Sequence, residues 1–269
     1  MRLPAFLRPA IPRSVAALCA AALLAPMAAA AVELAGHRAL YTLSLEAARG
    51  DIVGASGTMG FEVIDACDAW AVRQRLAITV TSRDGSEVDI TSDYTTWESK
   101  DGLRLRFRLR QTTEDTIVTD IAGAATLDRT GGPGRATYTQ PPDTTRDLPP
   151  GTLFPTAHTE AILAAAKEGK RFIAMPLFDG TSAEGAQDST AAIAAWTAPT
   201  PNRWPALSPL SSVRTRIAFF ERDGSNQQPE YEVGMRYWEN GVADQLSMDF
   251  GDYVLAGRLT ELTLPKPGC

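Results

Sequence analysis

Residues 148–169 read LPPGTLFPTAHTEAILAAAKEG. This stretch is the one convincing helix signal in a chain that otherwise reads as strand after strand. Pro155 blocks a helix further upstream, and Thr156 is available as its N-cap. Residues 161–167 are strong helix formers, and Gly169 is a natural stop just past the end. The expected helix therefore covers about 156–168. Its apolar face, Ala157, Ala161, Ile162, Ala165 and Ala166, is made of small side chains. So slim a rod suits close packing against something concave, such as the inner face of a curved sheet.

Working outward, the flanking sequence alternates with the period of strands. In residues 36–45, Ala39, Tyr41, Leu43 and Leu45 fall on one side and Arg38, Leu40, Thr42 and Ser44 on the other. A Gly-rich turn at 51–56 leads to a second strand at 57–64. In residues 70–80, Trp70, Val72, Leu76, Ile78 and Val80 oppose Arg73, Arg75 and Thr79, and Arg83-Asp84-Gly85 turns the chain. Residues 88–97 return with Val88, Ile90, Tyr94 and Thr96 on one side. After Lys100-Asp101-Gly102, Leu103, Leu105, Phe107 and Leu109 alternate with Arg104, Arg106, Arg108 and Arg110. Short strands are expected at 116–121, 127–130 and 135–139, and residues 140–150 read as an extended, proline-bounded approach to the helix. Beyond the helix come a strand at 171–178, a small, polar, mobile loop at 179–189 and a weak strand at 190–197. Residues 199–209, with four prolines and Trp204, form a stiff irregular connection. Residues 213–220, 230–238, 242–250 and 253–264 form a meander, turning at Asp223-Gly224, Glu239-Asn240-Gly241 and Gly251-Asp252.

The total is about 12–14 strands and one helix. No fixed-period repeat is visible, which disfavours propellers and solenoids. No βαβ rhythm is visible either, which disfavours doubly wound folds. The expected fold is mainly β: one large antiparallel β-spiral or open barrel wrapped around the central helix, as a single domain over residues 32–269.

The first 31 residues read as a cleaved secretory signal. Arg2, Arg8 and Arg13 precede an apolar run at 15–27 that is too short to span a bilayer, and Ala28–Ala31 offers small residues for cleavage after Ala30 or Ala31. Cys19 follows Leu18 inside the apolar run, which argues against a lipoprotein signal. Losing three arginines lowers the formal net charge from −6 to −9. A chain this acidic repels nucleic acid and anionic lipid surfaces. No later apolar run approaches the length of a membrane helix, so the mature protein is expected in the periplasm rather than in a membrane.

Export changes the meaning of the cysteines. Cys67 and Cys269 remain, and in an oxidising compartment such a pair reads as a disulfide, with two free thiols or an intermolecular bridge as the alternatives. An intramolecular bond would close a loop of about 200 residues, for which chain entropy gives roughly 5 kcal/mol.

Material for catalysis is sparse. His37 and His158 are the only histidines. His37, opening a strand, reads as solvated. His158 falls in the first helical turn, where a neutral, hydrogen-bonded ring is expected, and with Arg104, Arg106, Arg108 and Arg110 it is a candidate ligand or partner contact. No H-x-x-x-H, C-x-x-C or G-x-S-x-G occurs, and no cofactor or metal site is expected. Arg104, Arg106, Arg108 and Arg110 read either as a basic stripe for a lipid headgroup, lipoprotein terminus or acidic partner, or as the solvated outer face of a strand. The apolar inner face reads either as a core filled by the helix or as a greasy cleft beside it.

Three features together resemble the EipB family of periplasmic envelope-integrity proteins. They are Gly36-His37-Arg38-Ala39-Leu40-Tyr41-Thr42-Leu43, the segment Leu148-Pro149-Pro150-Gly151-Thr152-Leu153-Phe154-Pro155-Thr156 followed by His158, and the pairing of Cys67 with a cysteine near the end, Cys269. The resemblance implies a β-spiral of about fourteen strands around a helix, similar to the LolA and LolB lipoprotein carriers, with a disulfide that maps onto Cys67 and Cys269. It implies a role in cell-envelope integrity and a periplasmic tetratricopeptide-repeat partner, and it brings no catalytic residues. The expected function is therefore non-enzymatic: holding a lipidic or apolar group, or a partner's peptide, in the spiral's cleft. The alternative is a scaffold with a filled interior that docks a repeat protein. An unrecognised hydrolase would need His158 within reach of a buried serine or aspartate.

Overall fold

The computed structural model describes residues 32–222 and 228–266. The expected signal at 1–31, the Asp223-Gly224 turn and Cys269 lie outside the described residues. Those described fall in one compact unit, Ala31–Cys269. In chain order the strands are β1 His37–Ala48, β2 Ile52–Asp65, β3 Ala69–Ser82, β4 Glu87–Ser99, β5 Arg104–Thr113, β6 Thr116–Leu127, β7 Gly134–Gln140 and β8 Thr144–Leu148. Helix α1, Pro155–Lys167, follows, and then β9 Phe172–Leu177, β10 Gln187–Ile193, β11 Ser212–Phe220, β12 Tyr231–Trp238, β13 Ala243–Asp249 and β14 Tyr253–Thr263.

All fourteen strands join one antiparallel sheet in the order β8-β7-β6-β5-β4-β3-β2-β1-β14-β13-β12-β11-β10-β9. Every neighbour is a hairpin partner except one pair, β1 with β14, which joins the two halves at the chain's ends. The belt is open, with β8 and β9 as its edges. They approach at the entry to the helix: the Leu153 amide donates to the Pro176 carbonyl at 2.9 Å, and the Phe178 amide donates to the Leu153 carbonyl at 3.0 Å. This isolated parallel bridge draws the edges together without closing a barrel.

Side-chain alternation bends the sheet around one interior. In β5 the leucines and Phe107 point in and the arginines out, residue by residue. Two glycines permit close passes between strands. A Cβ on Gly57 would fall 2.1 Å from the Ala77 carbonyl oxygen, and one on Gly123 would fall 2.4 Å from that of Thr137 and 2.7 Å from the Phe107 ring.

Several local expectations need correction. The helix begins one residue earlier than Thr156. Pro155 is its first residue, since a helix's first amide needs no partner, and Thr156 is not the cap. Its buried face includes Leu163 beside Ile162, Ala165 and Ala166, while Ala157 and Ala161 are half-buried. Strand β6 runs on through Ala122-Gly123-Ala124-Ala125, residues too small to announce a strand. Residues 144–148, read as part of an extended approach to the helix, form β8. Pro141 and Pro142 are the turn of a hairpin rather than part of that approach. The supposed mobile loop at 179–189 is tethered: Tyr94 Oη donates to the Asp179 carbonyl at 2.5 Å and Tyr138 Oη to that of Ser182 at 2.9 Å. Its last three residues belong to β10.

Three of the buried clusters frame the interior. One joins β1–β3 to β13 and β14 around Tyr41, Leu43, Ile78 and Leu255. A second joins β5–β8 to Phe154 and Phe178. The third seats Ile162, Leu163, Ala165 and Ala166 of α1 on Ala191 and Ile193 of β10 and Val213 and Ile217 of β11. The helix thus packs to one side of the belt and leaves space between the clusters.

Candidate functional site

That space is a cavity of about 500 Å³, within the usual size range of small-molecule sites. Inward side chains of β1–β5 line one wall, and those of β11–β13 line the other. The first turn of α1 and the segment after β9 lie along it. The β11–β13 wall is apolar, with Ile217, Phe219, Val233, Met235, Leu246 and Met248. A run of aromatic rings crosses it: Phe219 on Tyr231 at 5.9 Å, Tyr231 on Phe250 at 5.2 Å, and Phe250 on Tyr253 at 5.2 Å.

The opposite wall carries polar groups in the apolar phase of its strands. Gln74 of β3 stands opposite Tyr94 of β4, Val72 opposite Thr96, and Ser92 opposite Gln111 of β5. All five polar residues line the cavity. Thr96 is 5% exposed and its hydroxyl has no partner among the described residues.

His37 also lines the cavity. It is buried, against the expectation of a solvated ring, because its strand turns it inward beside Phe61. Its Nδ1 pairs with the Ala35 carbonyl at 2.8 Å, and its Nε2 has no partner among the described residues. Burial lowers its pKa despite that bond.

His158 is where the sequence placed it, in the first turn of α1 and on the cavity wall. Its Nε2 shares a 2.8 Å hydrogen bond with Ser189 Oγ of β10, and burial takes its pKa down to about 4. This is the histidine–serine pair that a hydrolase would require. Ser189, however, is 1% exposed and is not a lining residue, and no carboxylate meets the ring among the described residues. The pair ties the helix to β10, and its geometry gives a substrate no path to the hydroxyl.

Among the described residues Asp179 is the one carboxylate on the lining. It accepts from the Thr181 amide at 2.9 Å, the Thr181 hydroxyl at 2.7 Å and Gln187 Nε2 at 3.0 Å, while burial raises its pKa. No group of three or more metal-ligating side chains occurs among the described residues.

The four arginines lie elsewhere. Arg104, Arg106, Arg108 and Arg110 are exposed on the outer face of β5, and none lines the cavity. Arg108 and Arg110 share Asp120 of β6 at 3.1 and 2.8 Å, and Arg106 lies over the Trp97 ring at 5.3 Å. Because β5 is an interior strand, they do not guard an edge. Cys67 sits in the β2–β3 turn with φ +68°, its amide donating to Asp65 Oδ1 at 2.9 Å.

Sequence reasoning missed Glu98, which caps the helix from β4, and the polar row on β3–β5. The signal for the row was present: Gln74, Ser92, Tyr94, Thr96 and Gln111 all occupy positions where the alternation calls for an inward apolar residue.

The fourteen-strand open belt with one inner helix can now be set beside known proteins. Residues 28–266 match the family model described as EipB-like. The chain belongs to the EipB-like family. The cell envelope integrity protein EipB of Brucella abortus (strain 2308) is 28% identical over 252 residues, covering 91% of this chain and 89% of that protein. The crystal structure of a β-barrel-like protein of a domain of unknown function, also from Brucella abortus, superposes with a TM-score of 0.79 at 27% identity, covering 88% of this chain and all (100%) of that one. No helix among the described residues is long and apolar enough to cross a membrane.

Proposed function

We propose that this protein is an exported, non-catalytic component of the cell envelope that holds an apolar or lipid-derived group, or a partner's peptide segment, inside its belt. The cavity of about 500 Å³ with its continuous apolar wall carries this reading. The name of the EipB relative supports the envelope role. The leader at 1–31 supports periplasmic residence after its removal, and a Cys67–Cys269 disulfide would fasten the chain's end to the β2–β3 turn.

The unfilled interior weighs against the scaffold reading, which requires a packed spiral. Docking of a tetratricopeptide-repeat protein on the outer face is compatible with a filled or an empty cavity. The hydrolase reading lacks an accessible nucleophile, since Ser189 is sealed behind His158.

Native mass spectrometry and lipid extraction of protein purified from the periplasm test the proposal. Co-purifying apolar mass, or uptake of Nile red blocked by it, is the expected result. Protein that is always empty and takes up no apolar dye overturns ligand holding.

A further inference from the structure

Resting on that reading, the lining also specifies what sort of head the ligand carries. Among the described residues that line the cavity there is no lysine, arginine or glutamate. Its one carboxylate, Asp179, is already bonded to Thr181 and Gln187. An anionic head would therefore be buried with no lysine or arginine to meet it, and a cationic head would find only a carboxylate that already accepts three hydrogen bonds. Both arrangements are costly in a low-dielectric site.

Neutral hydrogen-bonding groups are plentiful on one wall. Gln74 stands opposite Tyr94 and Ser92 opposite Gln111 on adjacent strands. Two polar atoms of residues on this side, Thr96 Oγ1 and His37 Nε2, are buried without a partner among the described residues. Unpartnered buried polar atoms cost free energy, and a hydrogen-bonding group that reached this wall would relieve that cost. The facing wall is mostly apolar and aromatic, its polar side chains being Tyr231, Tyr237 and Asn240.

We infer that the cavity selects a single-chain amphiphile with an uncharged, hydroxyl- or amide-bearing head, its head on the Gln74–Thr96–Gln111 wall and its chain along β11–β13. Thr96 and Gln74 are the specificity-determining residues. They act by hydrogen bonding, and the facing wall supplies chain affinity without regard to the head.

The test compares four twelve-carbon amphiphiles below their micellar concentrations: monolauroylglycerol, laurate, dodecylphosphocholine and dodecyltrimethylammonium. Each displaces Nile red from the full mature protein at neutral pH. Monolauroylglycerol is expected to bind at least about tenfold more tightly than the charged three, the equivalent of one good hydrogen-bonded group. The variant Thr96→Val with Gln74→Leu is expected to lose that preference, the affinities for the four amphiphiles, each measured against the variant's own Nile red binding, converging. Thr96→Val alone should melt at or above the wild-type temperature, because it removes an unsatisfied hydroxyl. Equal or tighter binding of laurate, or a preference unchanged in the double variant, overturns the inference while leaving ligand holding intact. Failure to bind Nile red or any amphiphile overturns both.

Discussion

Glu98 and Thr156 are 58 positions apart in the chain, yet Glu98 Oε2 accepts the Thr156 amide at 2.7 Å and Oε1 accepts that of Ala157 at 2.9 Å. A carboxylate from the middle of the belt thus supplies the cap that the helix's own sequence lacks, with Phe154 at the N-cap position and Pro155 following it. The geometry is favourable because it places acceptor oxygens at the positive end of the helix dipole. It also fixes the helix inside the belt, since Glu98 is held by the β3 and β5 ladders on either side. Glu98→Ala should cost about 2–4 kcal/mol by orphaning two amides, and Glu98→Gln, which keeps one acceptor, about half that. Urea unfolding measures both. A wild-type midpoint for Glu98→Ala would show that the cap contributes nothing.

The same glutamate and His158 of the helix's first turn should oppose each other in pH dependence. Burial lowers His158 from 6.5 to about 4. Between those values only the unfolded chain binds the proton. The stability His158 contributes is therefore complete above pH 6.5 and is lost as pH falls toward 4. Burial outweighs the two amide bonds at Glu98 and lifts it from 4.5 to about 7. There the folded chain keeps a proton that the unfolded chain releases, and stability is lost as pH rises through that range. His37, lowered by burial, adds to the first trend; Asp179 and Glu160, both raised by burial, add to the second. Relative to wild type, Glu98→Gln should shift the slope of stability against pH upward between about pH 4.5 and 6.5, and His158→Gln should shift it downward, each by at most about 1.4 kcal/mol per pH unit. Parallel curves for all three proteins would contradict this.

Phe178 closes the β5–β8 end of the belt. It meets Phe107 edge-on at 5.3 Å, Tyr138 at 6.4 Å and Phe154 at 6.4 Å, and it is fully buried. The segment that follows is clamped by Tyr94 and Tyr138, with Gly180 lying against the Phe107 ring. Phe178→Ala should cost about 3–5 kcal/mol and open the 179–186 segment to proteolysis. Limited proteolysis alongside thermal melting checks both effects, and a stable variant cleaved no faster than wild type would refute the role.

The belt was legible because most of its strands and turns rest on local signals: period-two alternation and the dipeptides Asp84-Gly85, Asp101-Gly102 and Asn240-Gly241. The helix was legible for the same reason, from Ala161 to Gly169. What escaped depends on contacts between distant residues. The cap on Thr156 comes from Glu98, and nothing within the helix sequence announces it. His37 is buried because β1 turns it toward Phe61, whereas its position beside Arg38 suggests exposure. The 179–186 segment has a loop's composition, and it is held by tyrosines more than 40 positions away. The polar row on β3–β5 could have been found, since Ser92 and Gln74 break the inward apolar phase, but its meaning as a lining needed the third dimension.

Cys67 sits on a turn whose left-handed backbone is fixed by the Asp65 side chain, close to the Lys100–Asp65 ion pair at 2.6 Å. A bond from this turn to Cys269 would restrain the chain beyond β14. Cys269→Ser should then lower the stability of the oxidised protein by up to about 5 kcal/mol, and a reducing agent should bring wild type down to the same level. Melting with and without reductant, with free thiols counted after denaturation, checks this. Two free thiols in the oxidised wild type would rule the bond out.

The arginine stripe and the cavity occupy opposite faces of one strand, which separates their functions experimentally. Arg106 and Arg108 project outward from β5 while Leu105, Phe107 and Leu109 face in. Reversing the two outer charges, Arg106→Glu with Arg108→Glu, breaks the Arg108–Asp120 pair and the Arg106–Trp97 contact. Exposed pairs of this kind are each worth well under about 1 kcal/mol, so the fold should persist with a small drop in melting temperature. Nile red uptake should be unchanged, because neither side chain reaches the lining. Any protein partner that reads the stripe should be lost in periplasmic crosslinking. If the double variant instead loses dye uptake while keeping its fold, the outer face is coupled to the interior. The assignment of binding to the cavity wall alone would then fail.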